Sequence, residues 1–455
     1  MKRFLIVALV VALLAIPVAN SFAQGSPRDT DPFWNPTDEL IASWRVIDGV
    51  EEGAEITWWT MSLSPTFDQY ILKIVENFQK TYPEVTVKWE DQPWDTLQDK
   101  TRNSFAAGEA PDVINLSPAW VGEFAEAGLL MDMDAAVGAA YPNIREQYSD
   151  GAWTTLAYDG VSYQIPWYLG LSNFLGYNKT ILEELGMTED DLPTNWAELY
   201  EFCQRVRDES GGEYYGTSLN FGSGTELNLL NYLIYNDIPV YSEDGKVALN
   251  VAPAAEDIQL WVDLINNDLI PRESLTDDHR NMVDRFSQGE TAVIMIAPHM
   301  LRLVNENNPD VFAQLGVAPG VTGRGGVNGV DVQSLVVPAA SKYPNAALAL
   351  AVFITNAQVQ AAFSKEVGIF PSNLLSYEDP FFQSVDPENP VSVIRPLAYD
   401  YVLKAENRRP SFPNDAEVQQ AIVDAQNAAL LGEKAPQEAL DDMVVKMDEL
   451  IAAAQ

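Results

Sequence analysis

The residues with the most chemical character in this chain are aromatic. Trp58, Trp59, Trp120, Trp153, Trp167, Tyr168 and Phe221 fall at or near predicted strand ends and loops. There a flat apolar face can cover the C–H face of a sugar while polar neighbours take its hydroxyls. Each tryptophan also has an ordinary use as core packing, because tryptophan is largely buried on average. Trp58 and Trp59 are adjacent, so on a strand they point to opposite faces and at most one of them faces a cleft. Trp59 is the candidate.

Other chemistry is thinly supplied. The only histidines, His279 and His299, stand 20 residues apart, and the lone Cys203 falls inside an apolar helical pattern, so neither a zinc spacing nor a Cys–His nucleophile pair forms. There is no GxSxG elbow and no phosphate-binding P-loop. Gly323-Arg324-Gly325-Gly326 leads into the strand-like segment 330–337, where a dinucleotide site needs a helix N-terminus facing phosphate, so it reads as a mobile loop. Asp132 and Asp134 lack the glycine and closing glutamate of a calcium loop and read as a helix cap beside a solvent-facing acid. Paired carboxylates for glycoside hydrolysis stay open, because 66 acids offer many pairs and spacing along the chain says little about spacing in space. No cofactor or metal is expected.

The elements that must position these residues alternate. Ile56 to Thr60 has the β-branched and aromatic content of a buried strand. Ser64 as N-cap with Pro65 behind it opens a helix whose apolar positions Phe67, Tyr70, Ile71, Ile74, Val75 and Phe78 share one face, and Pro83 stops it. Val85, Val87 and Trp89 alternate as a second strand, a helix spans 94–107, and 112–116 is a third strand. Strand–helix alternation predicts a parallel sheet layered by helices, with ligand bound beyond the carboxyl ends of the strands. That rule nominates the loops after Thr60 and Leu116. Further helices are expected at 195–209, 225–235, 254–267, 345–355, 357–367, 415–431 and 436–454, with a buried strand at 291–297.

The ends and the bulk set the setting. Two basic residues, Lys2 and Arg3, precede an apolar run from Phe4 to Ile16, and Ser21-Phe22-Ala23 supplies small residues, which together read as a cleaved signal peptide over 1–23. The apolar run falls short of the roughly 20 residues that cross a bilayer. No cysteine stands near the cleavage site to carry lipid. An N-terminal extension without assigned chemistry covers 24–53. Removing residues 1–23 takes away two basic residues and no acid, so the net charge moves from −39 to −41. Such a surface repels nucleic acid and anionic lipid. A neutral or cationic solute suits it better.

Several segments, in order, resemble the family 1 extracellular solute-binding proteins of ABC importers, the maltose-binding-protein-like group. They are Phe78-Gln79-Lys80-Thr81-Tyr82-Pro83, Ala106-Ala107-Gly108-Glu109-Ala110-Pro111-Asp112-Val113, Phe124-Ala125-Glu126-Ala127-Gly128-Leu129-Leu130, Tyr163-Gln164-Ile165-Pro166, Tyr177-Asn178-Lys179, Pro193-Thr194-Asn195-Trp196, Phe286-Ser287-Gln288-Gly289-Glu290-Thr291-Ala292 and Ser341-Lys342-Tyr343-Pro344-Asn345. The resemblance spans roughly residues 55 to 375 and implies an α/β fold of two lobes. Each lobe would be a mostly parallel sheet flanked by helices, with the ligand cleft between them and crossings near Pro166, Ala292 and Ile354. The first lobe would hold 54–165 plus 292–354, and the second 166–291 plus 355–455.

By the same resemblance, Trp59, Thr60, Ser62, Ser117 and Trp120 would line the first lobe's side of the cleft and Trp167 and Tyr168 the crossing. Asn220, Phe221, His299 and Asn328 would complete the wall. Where the maltose-binding branch carries charged sugar-binding residues, this chain reads Leu116-Ser117-Pro118-Ala119-Trp120, so maltose itself does not carry over. The expected protein is a periplasmic, non-catalytic monomer that takes a carbohydrate to the permease subunits of an ABC transporter. The alternatives are a polyol, glycerophosphodiester, peptide or cationic osmolyte in the same clamp, or a secreted glycoside hydrolase.

Overall fold

The computed structural model describes residues 28–453 apart from 141–143, 155–156, 172–173, 223–228, 327–329, 388, 405–407, 409, 411 and 413. The expected signal peptide lies outside the described residues. Eleven strands are described: β1 Ala54–Met61, β2 Val85–Gln92, β3 Val113–Leu116, β4 Ala157–Tyr158, β5 Val161–Ser162, β6 Ile165–Leu171, β7 Phe174–Asn178, β8 Val293–Ile296, β9 Leu315–Pro319, β10 Val330–Val336 and β11 Phe370–Pro371. Helix α1 is Asp38–Ser43, α2 Asp68–Thr81, α3 Trp94–Ala107 and α4 Pro118–Glu126.

The strand–helix alternation read from the sequence is present from β1 to β3. Helix α2 starts later than expected, at Asp68, because the Asp91 carboxylate accepts from the backbone N–H groups of Leu63 and Ser64 (3.1 Å each) and holds that stretch as a turn. The face of α2 carrying Tyr70, Ile71, Ile74 and Phe78 is buried, as its spacing requires. Cys203 is fully buried within the helix Trp196–Glu209, and burial pushes its thiol up to about 12, so it is inert packing.

Two sheets carry the lobes. The first has the order β11-β6-β10-β3-β1-β2, and the second β8-β7-β9. Neither is mostly parallel, contrary to the expectation. Only the β1–β2 and β1–β3 pairs are parallel in the first sheet, and β7 is antiparallel to both of its neighbours in the second. The reason is the route of the chain. It leaves the first sheet along β6, enters the second as β7, then departs along β9 and returns as β10. Outgoing and returning strands lie side by side in opposite directions.

That route also moves the lobe boundaries. Segments 293–296 and 315–319, expected in the first lobe, pair with β7 in the second sheet. The helix Ala357–Val367, expected in the second lobe, buries Val359, Ala362 and Phe363 in the first lobe's core, and β11 pairs with β6. The chain therefore passes from one sheet to the other between β6 and β7 and back between β9 and β10, and leaves the first lobe after β11, rather than crossing at Pro166, Ala292 and Ile354. A shared apolar cluster seals these crossings, joining Leu169, Val332 and Phe370 of the first sheet to Phe174, Ile294 and Leu315 of the second.

The N-terminal segment is part of the first lobe's core. Phe33, Trp44 and Ile47 are buried there, and the Asn77 amide donates to Phe33 O (2.8 Å). The Glu51 carboxylate accepts from the N–H groups of Asn345 and Ala346, which places a negative charge at the N-terminus of the helix Pro344–Ile354. Lys365 is buried between Asp31 (2.9 Å) and Asp379 (2.7 Å). Burial alone would pull its ammonium down, but hydrogen bonds to Asp379 and Asp31 outweigh that and raise it. Lys365→Met strands the Asp31 carboxylate without its partner and lowers unfolding free energy by about 3–5 kcal/mol, measured by urea titration. Because the folded pKa is the higher one, the stabilisation is present below about pH 10 and fades as pH rises through the folded value.

Candidate ligand-binding cleft

β1 and β3 run parallel and end together at Met61 and Leu116, while β6 and β10 continue past them into the crossings. The edge beyond those carboxyl ends is where an open α/β sheet receives ligand. The loop after β1 is built around Asp91. Its carboxylate takes the Thr60 hydroxyl (2.6 Å) besides the two loop N–H groups. The next residue, Ser62, has a left-handed backbone (φ 53°), and its Oγ accepts from Trp94 N (3.0 Å) at the start of α3.

That bond brings forward a residue the sequence reading passed over. Trp94 is 48 % exposed, and its ring lies 5.0 Å from that of Trp120, at a 50° tilt. Both tryptophans stand near the N-termini of helices that follow strand ends, Trp94 after β2 and Trp120 after β3. Trp120 N donates to Ser117 O (3.0 Å), and the Ser117 hydroxyl makes no cap bond. Ser62, Trp94, Ser117 and Trp120 thus form one connected rim. A tryptophan at the first position of a polar helix, after Pro93, is the signal that could have found Trp94.

Other expected site residues are interior. Trp59 is 7 % exposed, donates through Nε1 to Glu90 (3.0 Å) and is covered by the Lys100 ammonium 4.6 Å from its ring. Thr60 is fully buried, with its hydroxyl shared between Asp91 and Trp89 Nε1 (2.7 Å). Trp167 is fully buried and stacks on Phe363 (5.0 Å, 11°) beside Trp58. Strand pleating explains all three: each occupies a position whose side chain faces a helix layer rather than the end of the sheet. Tyr168 is half-buried at the crossing, edge-on to Trp167 and Phe363.

In the second lobe, Leu219 N and Phe221 N bond to Ser274, and Gly222 N bonds to Asp277 O (3.1 Å). A Cβ at Gly222 would stand 2.7 Å from Asp277 O, so only glycine permits this approach. Phe221 is core, packed on Trp261 at 4.9 Å. Asn220 differs: it is 5 % exposed, and its amide makes no hydrogen bond among the described residues. Gly323–Gly326, expected as a loop, is anchored by the bidentate Arg324–Asp257 pair (2.5 and 2.7 Å). His299 lies in the turn Pro298–Met300, and its side chain, like all of Asn328, is outside the described residues. Asp134, expected to face solvent, accepts from Trp153 Nε1 and Ser162 N (2.8 Å each). No group of three or more His, Cys, Asp and Glu among the described residues is placed to hold a metal.

These placements separate stability from binding. Trp167→Ala costs about 3–5 kcal/mol of unfolding free energy, as for other buried aromatic truncations. Trp94→Ala stays within about 0.5 kcal/mol, because its ring is half in solvent. Thermal and urea unfolding of the two variants checks the contrast.

Comparison with known proteins places the chain in a family. The model of the bacterial extracellular solute-binding protein family matches residues 63–361. A protein of Brucella abortus described as a binding protein is 22 % identical over 405 residues, covering 88 % of this chain and 94 % of that one. The structure of a protein from Synechococcus sp. MITs9220, assigned as an oligosaccharide periplasmic-binding protein, superposes with TM-score 0.77 at 25 % identity and covers 88 % of this chain and 99 % of that one. Maltose-bound T. maritima MalE3 gives 0.69 at 25 % identity, covering 87 % and 100 %. The two-lobed α/β architecture and the matched span agree: the chain belongs to the bacterial extracellular solute-binding proteins.

Proposed function

We propose that this protein captures a carbohydrate between its lobes, outside the cytoplasmic membrane, and delivers it to the permease of an ABC transporter without chemical turnover. The observation that carries the reading is the Trp94–Trp120 pair. Two indole faces at one strand-end rim suit the C–H faces of sugar rings. The free hydroxyl of Ser117 below them and the unbonded amide of Asn220 in the opposite lobe supply partners for sugar hydroxyls. A ligand that pairs with the Asn220 amide as well as with the rim of the other lobe favours the closed clamp over the open one.

The similarity to a maltose-bound protein and to one assigned to oligosaccharides supports the substrate class. Family membership supports the transport role. Export rests on the basic residues and apolar run at the N-terminus. No single described helix is long and apolar enough to cross a membrane. A monomer that needs no cofactor completes the reading.

A thermal-shift screen of the purified protein against mono-, di- and oligosaccharides, polyols and amino acids tests it. A sugar present at 100 times its Kd raises unfolding free energy by about 2.7 kcal/mol. The shift falls in Trp94→Ala and in Asn220→Ala, and no reducing sugar is released. Turnover of the sugar, or a response confined to polyols or amines, refutes the proposal.

A further inference from the structure

The segment 215–222 lies on the outer side of β8, which is an edge strand of the second sheet. Tyr215 bridges Thr291 in parallel, and Ala292 N donates to Tyr215 O and Val293 N to Gly216 O (2.9 Å each), so this segment starts out in the same direction as β8. β8 ends at Ile296, the register partner of Phe174, where β7 begins after the crossing from β6. Asn220 to Gly222 therefore lie toward the carboxyl end of β8, the end turned to the crossings, where an α/β sheet receives ligand. Leu219 and Phe221 are buried in the lobe's core, so the Asn220 side chain between them points away from it.

We infer that Arg285 is a positioning residue for the second lobe's ligand contact: through Asp277 and Glu290 it holds both ends of the segment that presents Asn220. The inference rests on the reading that a sugar pairs with the Asn220 amide. Arg285 stands in the helix His279–Ser287, and its Nε donates to Asp277 Oδ2 (2.9 Å) and its Nη1 to Glu290 Oε2 (3.1 Å). Those two acids are the residues whose backbone carbonyls receive the ends of the segment. Glu290 O accepts from Tyr215 N (3.0 Å), and Asp277 O accepts from Gly222 N (3.1 Å). One guanidinium thus ties the first residue of the segment to the last, a span that its planar fork of donors suits and a single ammonium does not.

The remaining contacts pass any shift on to Asn220. Its two neighbours are fixed to one fully buried residue, Leu219 N to Ser274 Oγ (3.1 Å) and Phe221 N to Ser274 O (2.9 Å). Ser274 and Asp277 belong to the same turn, so the turn and the segment move together. Gly222 leaves no slack, since a Cβ there would stand 2.7 Å from Asp277 O and 2.9 Å from Thr276 O. The Asp277 side chain is 8 % exposed, so without Arg285 a nearly buried carboxylate loses its partner and the turn that carries it must shift or open to water.

Hydrogen–deuterium exchange of the full protein without sugar is combined with isothermal titration against the mono-, di- and oligosaccharides of the thermal-shift screen. In Arg285→Met the amides of 219, 221 and 222 exchange faster by about tenfold or more, while those of the helix Ala252–Asn266 keep their rates. The Kd for the sugar rises by about tenfold or more, and Arg285→Lys recovers part of the loss. Gly222→Ala, which displaces the same backbone and leaves the ion pairs in place, raises Kd likewise. Arg205→Met, which breaks the pairs with Asp191 and Glu209 in the same lobe, leaves Kd unchanged. Added to Asn220→Ala, Arg285→Met raises Kd by less than about twofold further, because the amide it positions is gone, whereas a merely structural role costs as much in either background. Unchanged exchange or unchanged Kd in Arg285→Met, or a loss that adds in full to that of Asn220→Ala, overturns this inference and leaves the carbohydrate reading standing. A wild type silent to every sugar overturns both.

Discussion

The antiparallel pairing of β6 with β10 is the contact on which both lobes depend. The two strands stay in register from Val330–Leu171 to Leu335–Ile165, with one irregularity between Gln333 and Ser334. The β3 end of the first sheet needs only the segment Ser334–Val336, so Val330–Gln333 and the matching part of β6 project beyond it. β11 adds a third strand to it at Tyr168 and Leu169, so only the tip Val330–Asp331 with Gly170–Leu171 is two-stranded, and a two-stranded piece is marginal in water on its own. It is held by the apolar cluster of Leu169, Val332, Phe174 and Leu315 on one side and by its own ladder.

The polar groups near the ribbon are arranged to keep the rest rigid. The Ser334 hydroxyl contacts Gln164 Oε1 and lies 3.2 Å from Leu116 O, and the Asn115 amide donates to Ser334 O at 3.1 Å, so the end of β3 is tied to β10 through side chains as well as backbone. Asp91 does the same for the loop after β1. A carboxylate that accepts three or more hydrogen bonds at a strand end fixes the loop geometry without requiring a charge partner. The rim is thus presented on strand ends that side-chain hydrogen bonds tie together, which fixes its geometry before any ligand arrives.

How much of this was legible in the sequence follows from periodicity. The helix at 94–107 and the one at 357–367 were readable to the residue, because three-and-four spacing and caps are local signals. The order of motifs made the two-lobed fold readable as well. Sheet direction and lobe boundaries were not, because nothing local marks whether Val293–Ile296 pairs with β7 or with the first sheet. Apolar strands of four residues look alike until the chain's route is known. Of the residues expected to line the cleft, Ser117 and Trp120 stand at the strand-end rim, as the strand-end rule requires. Trp59, Thr60 and Trp167 are buried instead, because aromatic or hydroxyl type carries no information about facing. Pleat parity does, and parity has to be counted from a known strand end: Met61 closes β1, so Trp59 shares its face and Thr60 the other.

The acidity acquires a structural meaning from where the bases went. With 27 basic residues against 66 acidic ones, most arginines in the described part spend their charge on a fixed carboxylate: Arg28 on Glu366, Arg45 on Glu84, Arg205 on Asp191 and Glu209, Arg324 on Asp257. Many of these pairs are half exposed, and such pairs stabilise by only about 0–1 kcal/mol each. Their larger effect is on the field. They remove the cations that could have offset the acids, and the rim side chains Ser62, Trp94, Ser117 and Trp120 bring no positive charge, with the Asp91 carboxylate in the same loop. An anionic solute approaching that rim meets the repulsion of the whole surface with no local charge to compensate it, whereas an uncharged one meets none.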